Sequence, residues 1–317
     1  MGSGQREGVK GRAVRFDRYG DRDVLYVAEV DVPPPGDGEV LVRVRAAGVN
    51  PGEVAIRTGA LHERFPATFP SGEGSDLAGE VVAVGPGVSG FSVGDAVLGW
   101  SEQRSSHAEF VVVPAAQLAR KPAGLSWEAA GSLTVVGTTA YAAARAVGAG
   151  PGDTVAVSAA AGGVGTVLVQ LLQVRGARVV GIASEPHHGW LREHGVEPVA
   201  YGEGLADRIR AAAPDGVDAF VDLFGPDYVQ LAVDLGVAPG RIDTIVPTSF
   251  PLAQEIGAKS EGSAEATSTE VLAELASLVA DGRIEVPIAA TYPLERVRDA
   301  FAEVEERHTL GKIVLVP

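Results

Sequence analysis

The chain contains no cysteine. That excludes disulfides, thiolate nucleophiles and every metal site that depends on thiolate ligands. Aromatic residues fill only 6% of its 317 positions, and Met1 is the single methionine. Basic residues are in the minority, 26 Lys and Arg against 41 Asp and Glu, for a formal net charge of −15. A field of that sign repels nucleic acid and anionic membrane surfaces and favours solubility, and no basic block interrupts it. No run of about 18 apolar residues occurs, so no segment reads as a membrane-spanning helix. The opening MGSGQREGVKG lacks the apolar stretch of a signal peptide, and residues 1–10 are set aside from fold reasoning. A cysteine-free chain without such a stretch fits the cytoplasm.

What is present is a folded globular composition, 46% hydrophobic with 41 Gly and 20 Pro. The length favours two domains over one core. From Arg12 to about Val113 the text is strand-like: GRAVRF, EVLVRVRAAGV, GEVVAVG and AEFVVVP alternate or run apolar. Turn chemistry separates them in PPPGDG, GPGVSG and SVGDAV, which predicts an antiparallel β-barrel or sandwich. Gly85, Gly87, Gly90 and Gly94 read as positive-φ positions in those turns.

Around Ser126 the style changes. SWEAAGSLTVVGTTAYAAARAV opens on Ser126 as an N-cap and carries small residues suited to close packing. Strands DTVAVSA, ARVVGIAS, GVDAFVDLFG and GRIDTIVP then alternate with helical text. Such alternation predicts an α/β, doubly wound parallel sheet with helices on both faces. EVLAELASLVADG reads as an amphipathic helix ending at Gly282, and the tail holds a helix and a last strand. Residues 248–269 are polar and aperiodic, and read as a segment that orders on ligand binding.

The most informative stretch is VSAAAGGVGTVLVQLL, residues 157–172. A dinucleotide-binding turn reads G-x-G-x-x-G between a strand and a helix. The corresponding positions are Ala160, Gly162 and Gly165, so the first glycine is lost. The flanking strand and helix support a phosphate cradle, in which free N–H groups and the helix dipole meet a pyrophosphate. The plain alternative is a glycine turn that packs a helix on a sheet. An acid at the end of the next strand would accept from the adenine ribose of NAD(H). That place holds Ala183 and Ser184, which leave room for the 2′-phosphate of NADP(H). His187, His188 and Arg192 would add donors nearby, whereas an inward Glu185 would favour NAD(H). Adjacent histidines on a helix diverge, so no metal pair is read there.

Seven motifs occur in order: AAGVNPGE (46–53), GSDLAGEVVAVGPGV (74–88), FSVGDAV (91–97), HAEFVVVP (107–114), VGTTAY (136–141), AAAGGVG (159–165) and HTLGKIVLVP (308–317). Together they resemble the medium-chain dehydrogenase/reductase superfamily, in its zinc-independent quinone oxidoreductase branch related to zeta-crystallin. The resemblance covers nearly the whole chain from Arg12. It implies a GroES-like β-rich catalytic domain of residues 11–136 and 283–317. A Rossmann NADP(H)-binding domain of residues 137–282 is inserted between them, with the active site in the cleft. Zinc members carry a ligand Cys and read Gly-His-Glu where this chain has Gly74-Ser75-Asp76, which implies that no metal is used here.

The resemblance assigns residues as follows. Asn50 faces nicotinamide and substrate, with an Asn-Pro turn as its plain reading. Thr138 lies near the nicotinamide, with helix N-terminal capping as its alternative. Gly162, Gly163, Val164 and Gly165 form the pyrophosphate loop. Ser184 and Tyr201 hold the 2′-phosphate, with His188 close by, and Tyr201 is displaced by one residue from the common spacing. Val246, Pro247 and Thr248 border the cofactor. Trp100, Ser101 and His107 from the barrel side, with Leu61 and Phe250, line the substrate cleft. Lys312 reads as a surface charge ahead of the last strand. Enoyl-thioester reductases of the superfamily carry a tyrosine proton donor after Asn-Pro. Leu61 takes that place here and no tyrosine occurs between Asn50 and Asp76, which leaves His62 or solvent to protonate a product.

These readings predict an NADPH-dependent reductase of a quinone or an α,β-unsaturated carbonyl compound, with Asn50 stabilising the developing oxyanion. An NADP(H)-dependent alcohol dehydrogenase or aldehyde reductase is the alternative enzyme. An NADPH-binding protein of structural or regulatory role is the alternative of another class. The expected partners are a small-molecule substrate and a second copy of the chain. GRIDTIVP and the segment up to Pro287 are the candidate edge elements of that dimer.

Overall fold

The structure, a computed structural model, describes residues 8–317. The first seven residues of MGSGQREGVKG lie outside the described residues. Val9 and Lys10, set aside with that segment, already belong to β1 (Val9–Phe16), where they pair with Val32 and Asp31 of β2 (Tyr26–Val32). The centre of the β-rich part is β3 (Glu39–Val49). Its alternation turns Val42 and Val44 inward and leaves Arg43 and Arg45 outside. Helix α1 (Pro51–Arg57) follows it at once, with Pro51 at the first helical position. Then come β4 (Ser71–Gly72), β5 (Asp76–Val84), β6 (Ala96–Trp100), β7 (Phe110–Pro114) and β8 (Leu118–Arg120). Strand β3 pairs antiparallel with β5 and β7, and β1 joins β2 and β4 in a second sheet.

Of the four turn glycines, Gly87, Gly90 and Gly94 have positive φ, and Gly85 does not. Gly85 is required for another reason. A Cβ there would lie 1.9 Å from the carbonyl oxygen of Gly36, so two turns pass each other at backbone distance.

Ser126 caps α2 (Trp127–Ala130) by accepting from the Ala129 N–H at 3.2 Å. The chain breaks at Gly131, whose carbonyl accepts from Gly48 of β3, and resumes as α3 (Leu133–Val147). Strand β9 (Thr154–Val157) is followed by α4 (Gly163–Val174), β10 (Arg178–Ile182), α5 (His188–Glu193), β11 (Glu197–Val199) and α6 (Leu205–Ala212). The second half adds β12 (Ala219–Asp222), α7 (Tyr228–Asp234), β13 (Ile242–Thr244), α8 (Phe250–Ile256) and α9 (Thr269–Ala280). The five strands are parallel in the order β11-β10-β9-β12-β13. The order reverses beside β9, which is where such a sheet opens a crevice at its carboxyl edge.

Residues 248–269 contain a helix that their polarity and lack of period do not predict. Helix α8 lies there, ended by Gly257 at φ +76° and anchored by buried Ala253, and Lys259 bridges to Asp243 of β13. Helix α9 ends as expected, with Gly282 in the left-handed region beyond it. The tail returns to the β-rich part. Strand β14 (Ile288–Tyr292) pairs with β15 (Lys312–Leu315), and β15 pairs antiparallel with β3. Helix α10 (Val297–Glu306) covers it, packing Phe301 and Val297 on Ile313, Leu315, Val49 and Phe16.

Candidate active site

The glycine turn is a corner that packs α4 onto the sheet, and its glycines differ in what surrounds them. Strand β9 ends at Val157, and the chain turns through Ala159 at φ +47° before Gly162 caps α4. A Cβ at Gly165 would lie 2.2 Å from the Ala159 carbonyl oxygen, so this glycine lets the helix close onto the turn. A Cβ at Gly162 would lie 3.3 Å from the same oxygen, a tight contact that a shift of a few tenths of an ångström relieves, so this position is less constrained than Gly165. The first-turn N–H groups of α4 have no acceptor within the helix. Ala160, in the place of the lost glycine, is fully buried. Room for its methyl comes from Gly181 of β10, where a Cβ would meet it at 3.0 Å.

At the end of β10, Ala183 is buried and Ser184 half-buried, and Glu185 is exposed in the turn that follows. His188 Nε2 lies 3.1 Å from the Ala183 carbonyl, and His187 Nε2 lies 3.0 Å from that of His308. Arg192 and Tyr201 are exposed. Of the residues after β13, Val246 and Thr248 pack beside Gly225. Pro247 is exposed between them.

One carboxylate at this edge escaped the sequence reading. Asp222, at the end of β12, is fully buried. Its Oδ1 accepts from Ser158 Oγ and from the N–H groups of Phe224 and Gly225, each at 3.0 Å. Its Oδ2 accepts from Thr244 Oγ1 at 2.8 Å and Ser249 Oγ at 3.2 Å. Asp222 thus fastens the ends of β9, β12 and β13 to the 246–249 loop. The signal available in the sequence was an acid closing a wholly apolar strand, AFVD, which needs partners to be buried.

Adjoining the glycine turn through Lys312 is a second cluster of buried polar groups. Asn50, between β3 and α1, is 4% exposed. Its Nδ2 donates to Asp76 Oδ2 at 3.0 Å and to Glu53 Oε1 at 3.2 Å. Its Oδ1 accepts from Lys312 Nζ at 2.7 Å. The opposite amide orientation would set N–H against an ammonium and a carbonyl oxygen against two carboxylates. Asn50 therefore has no free donor, which corrects its expected part as the oxyanion's hydrogen-bond donor. Lys312, read as a surface charge, is 3% exposed, the second correction. Burial pulls its ammonium below the ordinary lysine range, while Asp76 and Glu53 hold it up. Asp76, fully buried, accepts from the Val135 N–H at 2.7 Å, and burial pushes it up to about 6 against the pull of Lys312.

His107, expected on the cleft wall, is fully buried, with Nε2 donating to the Gly48 carbonyl at 3.0 Å. Burial holds its imidazole below the usual range, with Glu53 opposing. Thr138 is also fully buried, in the interior of α3, with its hydroxyl on the Thr134 carbonyl at 2.7 Å. Capping is excluded by that position. Thr139 shares a helix face with Val135, whose N–H holds Asp76. Trp100 and Leu61 are half-buried and Ser101 is buried. Phe250, half-buried, opens α8. His62 is exposed, its Nδ1 2.8 Å from the Gly59 carbonyl.

A β-rich part joined to a doubly wound sheet, with a glycine turn between its first strand and helix, is the architecture of a nicotinamide-nucleotide oxidoreductase. Two family models match: the alcohol dehydrogenase GroES-like domain over residues 36–123, and the zinc-binding dehydrogenase over residues 194–315. The rat synaptic vesicle membrane protein VAT-1 homolog is 33% identical over 322 residues, covering 90% of this chain and 79% of the relative. A quinone oxidoreductase of Pseudomonas aeruginosa is 31% identical, covering 96% of this chain and 99% of its own. Among solved structures, the quinone oxidoreductase of Escherichia coli complexed with NADPH superposes with a TM-score of 0.86 at 26% identity, covering 96% of this chain and 100% of that one. The chain belongs to the medium-chain dehydrogenase/reductase superfamily.

The donor set does not suit the zinc that one family model is named for. Asp76 is engaged through both oxygens and lies 3.9 Å from the Lys312 ammonium. Among the described residues, no group of three or more His, Asp or Glu side chains is arranged to hold a metal ion. Nor is any helix among them long and apolar enough to cross a membrane.

Proposed function

We propose that the protein is an NADPH-dependent reductase that delivers hydride to a quinone or an α,β-unsaturated carbonyl compound without a metal. The observation that carries the cofactor reading is the glycine turn between β9 and the α4 N-terminus, with Ala183-Ser184 instead of an acid at the end of β10. Gly162, Gly163, Val164 and Gly165 would hold the pyrophosphate. Ser184, His188 and Tyr201 would surround the 2′-phosphate, and Val246, Pro247 and Thr248 would border the cofactor. When bound, NADPH supplies the hydride from carbon 4 of its nicotinamide.

The remaining work falls to this chain. Leu61, Trp100 and Phe250 wall the cleft and exclude water, so that acceptor and cofactor meet face to face. Asn50 shapes the floor instead of donating to the oxyanion. Solvent then protonates the enolate or quinol oxygen, which suits an activated acceptor and disfavours an unactivated ketone. The reading includes the division at residues 136/137 and 282/283, a cytoplasmic setting, and a homodimer along the β13 edge.

The test follows the reduced-nicotinamide absorbance with NADPH and, separately, NADH. The acceptors are a benzoquinone, a 2-alkenal, a cyclic enone, an enoyl thioester and a simple aldehyde. Turnover of quinone or enone with NADPH preferred, unchanged by chelator, is expected. Tight NADPH binding without oxidation of any acceptor would favour the structural or regulatory reading. Elution from gel filtration as a monomer alone would remove the dimer.

A further inference from the structure

Lys312 links the two halves of the site. Its Nζ donates to Asn50 Oδ1 at 2.7 Å and to the Val49 carbonyl at 3.0 Å, and lies 3.9 Å from Asp76 Oδ2. Its stem runs along the start of α4. The Lys312 Cδ lies 3.0 Å from where a Cβ at Gly163 would sit, so Gly163 is glycine to admit a lysine as much as a phosphate. One residue earlier, the Gly311 N–H donates to the Ala161 carbonyl at 3.0 Å, and Gly311 forms a parallel bridge with Gly162. The last strand of the β-rich part is therefore hydrogen-bonded to the glycine turn on its main chain and to Asn50 through its side chain.

We propose that Lys312 is a positioning residue. Its ammonium locks the Asn50 amide, and its stem and the Gly311 backbone transmit occupancy of the glycine turn to that amide. The transmission rests on the reading that the turn binds the NADPH pyrophosphate. The lock does not. The physical basis is the absence of slack. A stem in van der Waals contact with Gly163, on a backbone bonded to Ala161, shifts when the turn tightens on a ligand. A shifted ammonium changes the 2.7 Å hydrogen bond that Asn50 Oδ1 accepts.

The sequence offers a clean probe, because Asn50 is its single asparagine. Full-length protein labelled with nitrogen-15 in asparagine gives one side-chain amide pair in an NMR spectrum. In the unliganded wild type these two signals are expected to be well separated and slow to exchange with solvent. Lys312→Met keeps an unbranched stem and removes the charge. It is expected to draw the signals together and speed their exchange at least about tenfold. Unchanged signals in Lys312→Met overturn the lock.

Should Lys312→Met fail to fold around an unpaired Asp76, Gly163→Ala tests the same contact with the charge kept. Its methyl pushes on the lysine stem, so the unliganded Asn50 signals are expected to move. Gly162→Ala, whose methyl meets nothing closer than 3.3 Å, is expected to leave them in place. Equal shifts in the two alanine variants, or none in Gly163→Ala, overturn the proposal.

Adding NADPH separates the two layers. It is expected to move the Asn50 signals in the wild type and not in Lys312→Met, with nucleotide affinity by fluorescence altered less than about threefold. An equal NADPH-induced shift in both proteins overturns the transmission. A wild type without NADPH affinity overturns the cofactor reading and the transmission with it, and the unliganded comparison still decides the lock.

Discussion

A Cβ on Gly165 would stand 2.2 Å from the carbonyl oxygen of Ala159. That distance makes the third glycine of the turn a packing residue, whereas a Cβ on Gly162 would meet the same oxygen at 3.3 Å, a contact that a small shift relieves. The two are separable by experiment. Gly165→Ala is expected to cost roughly 3 kcal/mol or more of stability, because a backbone carbonyl cannot step aside as a side chain can. Gly162→Ala is expected to fold within about 1 kcal/mol of the wild type and to weaken NADPH binding about tenfold or more. Urea unfolding and a fluorescence titration on both variants check this. Full nucleotide affinity in a folded Gly162→Ala would reduce the turn to a corner.

Cofactor choice rests on Ser184. Ser184→Asp places a carboxylate where a ribose hydroxyl can donate to it and where a 2′-phosphate is repelled. The ratio of kcat/KM for NADPH over NADH is expected to fall about tenfold or more, equivalent to roughly 1.4 kcal/mol. If the ratio stays unchanged, the 2′-phosphate lies elsewhere.

Glu73 gives the fold a pH dependence of defined sign. Burial pushes its carboxyl up to about 8, with Glu53 adding to the effect and Arg57, at 3.0 Å, opposing it. The folded value lies above the unfolded 4.5, so the folded state holds the proton more tightly. Its contribution to stability is present below the unfolded value and is lost as pH rises through the window from 4.5 to about 8. Glu73→Gln does not titrate. The melting temperature of the wild type should therefore fall relative to that of Glu73→Gln between about pH 6 and pH 8.5. Parallel curves across that range would show that Arg57 keeps Glu73 ionised throughout.

Asp222 is the fastener of the carboxyl edge. In Asp222→Asn, an amide N–H must face either the three donors at Oδ1 or the two at Oδ2. At least two buried donors then lose an acceptor, at about 1–3 kcal/mol each. The variant is expected to unfold at lower urea and to bind NADPH more weakly, since the 246–249 loop loses its tether. Unaltered stability would mean that water replaces those contacts.

Much of the architecture was readable because it depends on local pattern. The alternation of EVLVRVRAAGV, the cap at Ser126, and the ending of α9 before Gly282 are set by neighbours within a few residues. Helix α8 was missed because FPLAQEI is too short to show a period and its buried anchor, Ala253, is a weak hydrophobic signal. The capping alternative for Thr138 fails because α3 begins five residues earlier, at Leu133, and a helix start of that kind shows no strong local signal.

By itself the sequence determined the order of strand-rich and alternating segments, the exclusion of thiolate chemistry, and the place of the glycine turn. Those follow from composition and from periodicities that a few neighbouring residues impose. The tertiary structure alone decided that Lys312 is buried, that Asn50 is left without a free donor, and that Asp222 binds three strand ends. Asn50 and Lys312 are 262 residues apart in the chain. Whether a polar side chain finds a partner across that distance depends on how β15 is laid beside β3, and no local pattern records it.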